Sequence, residues 1–368
     1  MTSKVAIIGS GISGAVCASI LAKKGISVTI FESARGPGGR MSQRREHCED
    51  GRELLFDHGA PCFSVNANNL EMRSLVNDWE SRGLVAQWEE KFGSFDCSSR
   101  RFVSVEEEVN TRYVGVPGMN SVCKALCHEP GVETRFGHGI GRLDWLVDHN
   151  AWSLTSLDGQ DVGHFMGVVA TDKNTFSSRF TDVTGKPPPI DLNSVSEVGF
   201  QIKEIPAFPC FALMLAFAQP LSSIPMKGGF SFKNSEILSW AYCDSSKPGR
   251  STTSERWVLH STAKYADLVI SQAGFQKPST ALLTKVAEEL FQEFRSTGID
   301  IPQPFFKKAH RWGSAFPAVS IAGEEKCLWV ENRRLAICGD FCMMPNVEGA
   351  ISSGIAAAAK FVQLLATE

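Results

Sequence analysis

The chain has 368 residues, 43% hydrophobic and 21% charged, with a formal net charge of −3, a globular profile long enough for two domains. No basic stripe marks it for nucleic acid, and its longest apolar run, 211–218, is far short of the ~20 residues of a membrane span, so neither is an expected partner. The eleven cysteines are scattered without a CxxC or zinc-like Cys/His spacing, which points to reduced thiols, a cytoplasmic setting and no metal.

Residues 4–8, Lys-Val-Ala-Ile-Ile, read as a buried parallel strand that begins at once and leaves no room for a leader peptide in this chain. The strand runs into Gly9-x-Gly11-x-x-Gly14. Gly9 permits a tight turn, Gly11 lets the backbone approach a pyrophosphate, and Gly14 lets helix and strand pack closely. The helix that follows, with Ser13 in its first turn, turns its N–H groups and positive end toward phosphate. A second strand closes on Glu32, at roughly the ~20-residue distance at which an acid accepts ribose hydroxyls. Strand, helix, strand and acid in this order predict dinucleotide binding.

Gly38-Gly39-Arg40 comes next. A plain NAD domain does not need it. Its glycines allow close ligand approach, and Arg40 can pair with a phosphate. A helix is expected within 69–88, short strands over 92–116, a helix over 118–127 and a strand over 132–136. Residues 137–141 are Gly-rich but read as a turn, not a second nucleotide site. A meander over 152–156 and 159–163 turns at Asp158-Gly159, and residues 167–171 return as a buried strand. Pro187-Pro-Pro-Ile reads as a polyproline connector. Strands are expected at 210–218, 228–233, 236–243 and 256–261. A helix over 282–294 places Leu283, Val286, Leu290 and Phe294 on one face. Near the end, a strand runs into Gly339-Asp340, where an Asp can hold a ribityl hydroxyl. The Ala-rich helix that starts near Glu348, Gly349 and Ala350 offers its N-terminus to a flavin pyrimidine edge. These features select FAD.

The expected fold class is α/β: a discontinuous Rossmann-type FAD-binding domain (1–65, 115–175, 326–368) and a mixed-sheet plus helix substrate domain (66–114, 176–325). The expected cofactor set adds Ser33 and Met41 to Gly9, Gly11, Ser13, Gly14, Glu32, Gly39, Arg40, Gly339, Asp340, Glu348, Gly349 and Ala350. FAD is expected to be held without a covalent bond; Cys342 would be the attachment point otherwise. A second complete GxGxxG is missing, so a nicotinamide compound would enter as substrate and not occupy a Rossmann domain of its own.

The paired ends of the chain resemble the amine-oxidase superfamily of FAD flavoproteins, whose fold is like that of p-hydroxybenzoate hydroxylase, and more narrowly its renalase-like branch and plant relatives. The resemblance covers most of the chain. It is carried by the segments above and by Phe56-Asp-His-Gly-Ala60, Val116-Pro-Gly-Met-Asn120, Leu238-Ser-Trp-Ala-Tyr-Cys-Asp-Ser-Ser-Lys-Pro-Gly-Arg250, Trp257-Val-Leu-His-Ser-Thr262 and His310-Arg-Trp312. It implies an oxidase that takes hydride from isomeric dihydronicotinamide dinucleotides (NAD(P)H isomers) and passes electrons to O2. The alternatives are oxidation of an amine or alkaloid and, in another class, a flavin-binding redox-sensitive interaction module. The superfamily's pocket lysine is not assignable here, although Lys233 and Lys264 are of the right type.

Hydride transfer from an electron-rich carbon needs positioning more than acid–base help, so an aromatic-lined pocket is expected. The family-like segments supply His260, Trp312, Trp240 and Tyr242 as catalytic candidates, each with core packing as its alternative. Strand alternation places Trp240 and Tyr242 on one face and puts Trp257 opposite His260. Lys247 and Arg250 can bind a substrate phosphate or shape the Pro248-Gly249 turn, and the turn is favoured.

Overall fold

β-branched runs flanked by glycine form the sheet of one unit, and alternating aromatic strands form the sheet of the other. The computed structural model describes residues 4–48, 50–104, 110–202, 205–274 and 276–367. The chain divides into a first unit of residues 1–39, 122–207 and 316–368 and a second of residues 40–121 and 208–315.

The first unit is built on a six-stranded sheet in the order Val132–Phe136, Ser27–Glu32, Lys4–Ile8, Gly167–Ala170, Leu335–Ile337, Leu328–Val330. The first five strands are parallel and the last is antiparallel. Continuous apolar runs suit strands covered on both faces. The helix Ile12–Lys23 packs against the C-terminal helix Val347–Thr367; a Cβ on Gly354 would stand 2.4 Å from the Ser13 carbonyl oxygen. An antiparallel meander, Ile140–Leu146, Ala151–Ser156 and Asp161–Phe165, brings Leu143, Trp152, Leu154 and Phe165 into one core with Ala6, Ile8, Val168 and Ala170. The stretch Val347–Ala366 is long and apolar enough to cross a membrane, with hydropathy 1.4, and half of it is buried in the protein. Polar residues interrupt it, so a search for unbroken apolar runs passes over it. Packing against the first helix is a sufficient reason for its small, apolar composition.

The second unit carries a seven-stranded sheet in the order Phe306–Pro317, Ala207–Phe217, Glu255–Ser261, Leu238–Cys243, Gly229–Lys233, Phe92–Asp96, Arg101–Ser104. The helices Ala263–Ala273 and Thr280–Ser296 supply Ala266, Val286, Leu290, Phe291 and Phe294 to a core with Phe211, Leu213, Trp257 and Leu259. Alternation then turns Val258 and His260 to the opposite face. A register shift between Leu238 and Trp240 realigns the neighbouring strand. The unit also holds a hairpin, Arg44–His47 with Glu53–Phe56, and a three-stranded sheet in the order Phe63–Val65, Thr111–Gly115, Val85–Gln87.

The expected strand over 132–136 and the meander are found, and the amphipathic helix spans Thr280–Ser296. The helix expected within 69–88 stops at Ser81; Gly83, at φ +69°, leads into the strand Val85–Gln87. Of the stretch 92–116, residues 105–109 lie outside the described residues. The helix Ala263–Ala273 was not foreseen, although Thr262 caps it by accepting from the Tyr265 N–H at 3.1 Å. The compact units also divide the chain elsewhere than expected. Residues 40–65 join the second unit, because Phe63–Val65 pairs with Thr111–Gly115. Residues 176–207 join the first, because Phe176, Ile190, Val198 and Ile202 enter its core.

Leu290 is fully buried between its helix and the sheet. Leu290→Ala should cost about 2–5 kcal/mol of stability, read as a lowered urea midpoint; a cost within ~0.5 kcal/mol would show that the helix does not carry the core.

Candidate functional site

In the first unit the three glycines of the loop have different surroundings. Gly9 has φ +107°, and a Cβ there would meet Thr171 Oγ1 at 2.4 Å. That hydroxyl donates to the Ile8 carbonyl at 2.9 Å. A Cβ on Gly14 would stand 2.2 Å from the Gly9 carbonyl oxygen, whereas one on Gly11 would meet nothing within 4 Å. Gly14 therefore holds the helix against the strand, and Gly11 borders open space. Gly39, at φ +52°, lies against Gly11, with its virtual Cβ 3.6 Å from the Gly11 Cα, and the Gly38 N–H donates to the Ser10 carbonyl at 3.0 Å. Ser13 is buried in the first turn of the helix.

Glu32 ends its strand beside this loop. Its Oε2 accepts from the Ser10 N–H at 2.9 Å and the Ser10 hydroxyl at 2.8 Å. Its Oε1 accepts from the Ala34 N–H at 2.7 Å and the Ser33 hydroxyl at 3.3 Å. The backbone donors fix the carboxylate, and the two hydroxyls are rotors that a ribose hydroxyl can replace. At the far end of the sheet, Gly339 has φ +154°, its virtual Cβ would stand 2.4 Å from the Phe341 ring, and its N–H donates to Ser353 Oγ at 2.9 Å. Asp340 follows, buried. Glu348, Gly349 and Ala350 form the first turn of the C-terminal helix; the Gly349 N–H donates to Asn346 Oδ1 at 2.7 Å. An open glycine, a fixed acid and a buried strand-end Asp suit an extended dinucleotide. The Cys342 thiol is fully buried, donates to the Ile337 carbonyl at 3.4 Å, and is pushed up to about 12 by burial, which leaves it unsuited to bonding a cofactor.

Arg40 and Met41 fall in the second unit. Arg40 Nη1 donates to the Ala315 carbonyl at 2.5 Å, a partner the sequence did not suggest, and Met41 is buried.

The second unit gathers three of the four catalytic candidates. His260 Nε2 donates to the His58 carbonyl at 3.1 Å, and Trp312 Nε1 donates to the same oxygen at 3.2 Å. The His58 ring lies 4.8 Å from the Trp312 ring and 4.7 Å from His310, and Tyr242 meets His260 edge-on at 5.5 Å. Trp240 pairs across the strands with His260 but is 46% exposed, at the open end of this face. Trp257 is in the core on the other side, as alternation requires. A Cβ on Gly59 would stand 2.1 Å from the Arg40 carbonyl oxygen and 3.2 Å from Trp312 Cζ2, so the turn after His58 admits only glycine. His58 and His310 were missed as site residues. His310 lies two residues before Trp312 in one strand, the spacing that places both on one face.

Beneath this face lies a charge cluster that sequence reasoning read as a turn. Lys247 Nζ is 3.0 Å from Asp57 Oδ2 and 2.6 Å from Asp244 Oδ1, and Arg250 Nη2 is 2.5 Å from Asp57 Oδ2; the side chains are 0–2% exposed. Asp57 Oδ1 also accepts from the Met119 N–H at 3.0 Å, and the Tyr242 hydroxyl donates to the Asp57 carbonyl at 2.6 Å. Burial works to raise both carboxyls. Lys247 and Arg250 nonetheless hold Asp57 below the usual carboxylate range, whereas Asp244 stays above it. Gly249, at φ +72°, does make the expected turn.

Residues 7–79 match the family model of the NAD(P)-binding Rossmann-like domain. A carotenoid phi-ring synthase from Streptomyces griseus is 36% identical over 66 residues, which cover 18% of this chain and 13% of that protein, so the match spans a small part of the curated relative. Along its whole length the chain is similar to two solved oxidase structures. An Exiguobacterium sp. 255-15 protein assigned as a protoporphyrinogen oxidase has a TM-score of 0.69 at 12% identity, with 100% of both chains covered. A putrescine oxidase bound to putrescine has a TM-score of 0.67 at 12% identity, with 99% of both chains covered. The chain therefore shares the fold of these two oxidases, in agreement with the expected fold class.

Three histidines of the second unit, His58, His260 and His310, are held toward the neutral form. Burial pushes His58 down to about 3, reinforced by His310, Arg44 and His260. Burial likewise lowers His260 to about 4 against its bond to the His58 carbonyl, and lowers His310 to about 4 together with Arg44 and Arg311. These values lie below the unfolded value of about 6.5. Between pH 6.5 and 4 the unfolded chain therefore binds protons that the native one refuses. Their contribution is complete above pH 6.5 and lost as pH falls toward 4. Asp244, held above its usual range, works in the opposite sense. At pH 5 the loss should be about 2 kcal/mol for each of His58 and His260. The urea midpoint should fall between pH 7 and 5, and less steeply in His58→Asn; an unchanged slope in that variant would place the His58 proton elsewhere.

Proposed function

We propose that this protein is an FAD-dependent oxidoreductase of amine-oxidase type that holds FAD non-covalently and oxidises a small dihydro-heterocycle, isomeric dihydronicotinamide dinucleotides foremost, with O2 as final acceptor. The observation that carries this reading is the loop in which Gly11 opens onto free space while Gly14 touches the Gly9 carbonyl and Glu32 is fixed beside them. Gly9, Gly11, Ser13 and Gly14 would hold the pyrophosphate, Glu32 and Ser33 the adenosine ribose, and Asp340 the ribityl chain. Glu348 to Ala350 would set the helix N-terminus toward the isoalloxazine. Gly39, Arg40 and Met41 complete the set. Bound FAD supplies a two-electron acceptor; the chain's own task is to orient the donor and keep water out.

His260 and Trp312, with Tyr242 and Trp240 on the same sheet, are the substrate-side groups in this reading. The charges around them favour an uncharged ring over an ammonium. Burial disfavours the charged form of the imidazoles, and the Asp57 carboxylate is taken up by Lys247 and Arg250. Oxidation of an amine, the chemistry suggested by the putrescine oxidase likeness, would be favoured by an unpaired carboxylate to receive the cation, which Asp57 does not supply. The eleven free cysteines support a cytoplasmic setting.

The purified protein should be yellow and release free FAD on acid precipitation. Anaerobic mixing with dihydronicotinamide isomers should bleach the flavin, while putrescine should not. Bleaching by amines alone would turn the reading to amine oxidation, and a flavin that no small molecule reduces would favour an interaction module. Glu32→Ala removes charge-assisted hydrogen bonds worth roughly 1.5–3 kcal/mol. It should weaken FAD retention about 10–150-fold in a titration of apoprotein, and unchanged affinity would remove Glu32 from the cofactor site. His260→Ala and Trp312→Ala should each slow flavin reduction on the order of 100-fold with FAD still bound, the scale of a ~1 Å misplacement. Wild-type reduction rates in both would make these residues packing only.

A further inference from the structure

We propose that the sealed quartet Asp57, Asp244, Lys247 and Arg250 is a positioning device for the reaction: it fixes the His58 carbonyl, and through that one oxygen the orientation and tautomer of His260 and the plane of Trp312. The proposal rests on the reading of His260 and Trp312 as substrate-side groups.

The chain of contacts is short. Asp57 is bonded to His58. Its side chain is gripped by two cations and the Met119 N–H, its carbonyl by the Tyr242 hydroxyl, and its own N–H reaches Asp244 Oδ2 at 3.4 Å. The peptide leading into His58 is thus held from both sides. Its next carbonyl receives two side-chain donors, the Nε2–H of His260 and the Nε1–H of Trp312. A neutral imidazole has one N–H, so a bond donated from Nε2 leaves the Nδ1 of His260 as an acceptor. An ion cluster without exposed surface is a costly way to obtain stability, since an apolar replacement of equal volume is often neutral or better. Its distinctive property is directional: paired charges tolerate little displacement, so the backbone they hold does not drift.

Two variants test this in the FAD-loaded protein. Asp57→Asn keeps the shape and the acceptor for Met119 but removes the charge. Arg250→Lys keeps the charge but loses the fork, and it decides the question if Asp57→Asn does not fold. Two measurements are made on each. Stopped-flow reduction by a dihydronicotinamide isomer should slow at least tenfold at saturating substrate with FAD content unchanged. Nitrogen-15 spectra of selectively labelled histidine should show one Nε2–H tautomer for His260 in the wild type and a mixture of tautomers in the variants. A folded variant that reduces its flavin at the wild-type rate and keeps the single tautomer would overturn the proposal and leave the quartet a structural ion cluster. A wild-type protein whose flavin no substrate reduces would sink the functional reading instead, and the tautomer measurement would still decide whether the quartet sets His260.

Discussion

Asp57 organises the second unit. Its carboxylate has no exposed surface and binds two cations that are themselves sealed. Its peptide is tied to the strand Leu238–Cys243 through Tyr242 and to the turn that carries Lys247 and Arg250. Removing one member of such a group leaves an unpaired buried charge, which is strongly destabilising. The segments that meet at Asp57 therefore stand or fall together. The aromatic face above inherits that rigidity, because His260 and Trp312 both donate to the next carbonyl along the chain.

The first unit depends on the opposite device, the absence of side chains. The helix Ile12–Lys23 can approach the strand Lys4–Ile8 only because Gly14 has no Cβ to meet the Gly9 carbonyl, and the C-terminal helix reaches Ser13 only because of Gly354. Glu32 converts this closeness into a fixed loop by accepting from Ser10 and Ala34. An acid in this place has two duties, since it shapes the loop as well as offering oxygen atoms to a ribose. Loss of loop order is then part of what its removal does.

These two devices differ in how far they can be read from sequence. A backbone site is local: Gly9, Gly11, Gly14 and Glu32 lie within one strand–helix–strand unit, and each glycine's role follows from its spacing. Most strands of the two large sheets were legible for a related reason, since apolar runs and alternation are properties of short windows; Phe306–Pro317 and Leu328–Val330 were not. The helix Ala263–Ala273 was overlooked in spite of its Thr262 cap, because only Tyr265, Ala266 and Ile270 are buried along it and its apolar pattern is correspondingly thin. The compact units part from the expected division at 40–65 because the strand Phe63–Val65 pairs with the distant strand Thr111–Gly115, and pairing partners are not written in a window.

A side-chain site is not local. His58, His260, His310 and Trp312 come from segments up to 254 residues apart, and nothing in a sequence says that their rings meet. His260 was reached through resemblance and strand alternation, and Trp312 through resemblance alone. His58 and His310 were not, although in the strand Phe306–Pro317 the two-residue spacing puts His310 on the face of Trp312. Lys247 and Arg250 show the limit most plainly. Their Pro-Gly context correctly predicted a turn, and a turn usually puts cations in water. Here it carries them inward, because two carboxylates, one of them 190 residues away, supply the counter-charges that make burial tolerable. The turn was readable from its own residues; its burial was decided by Asp57.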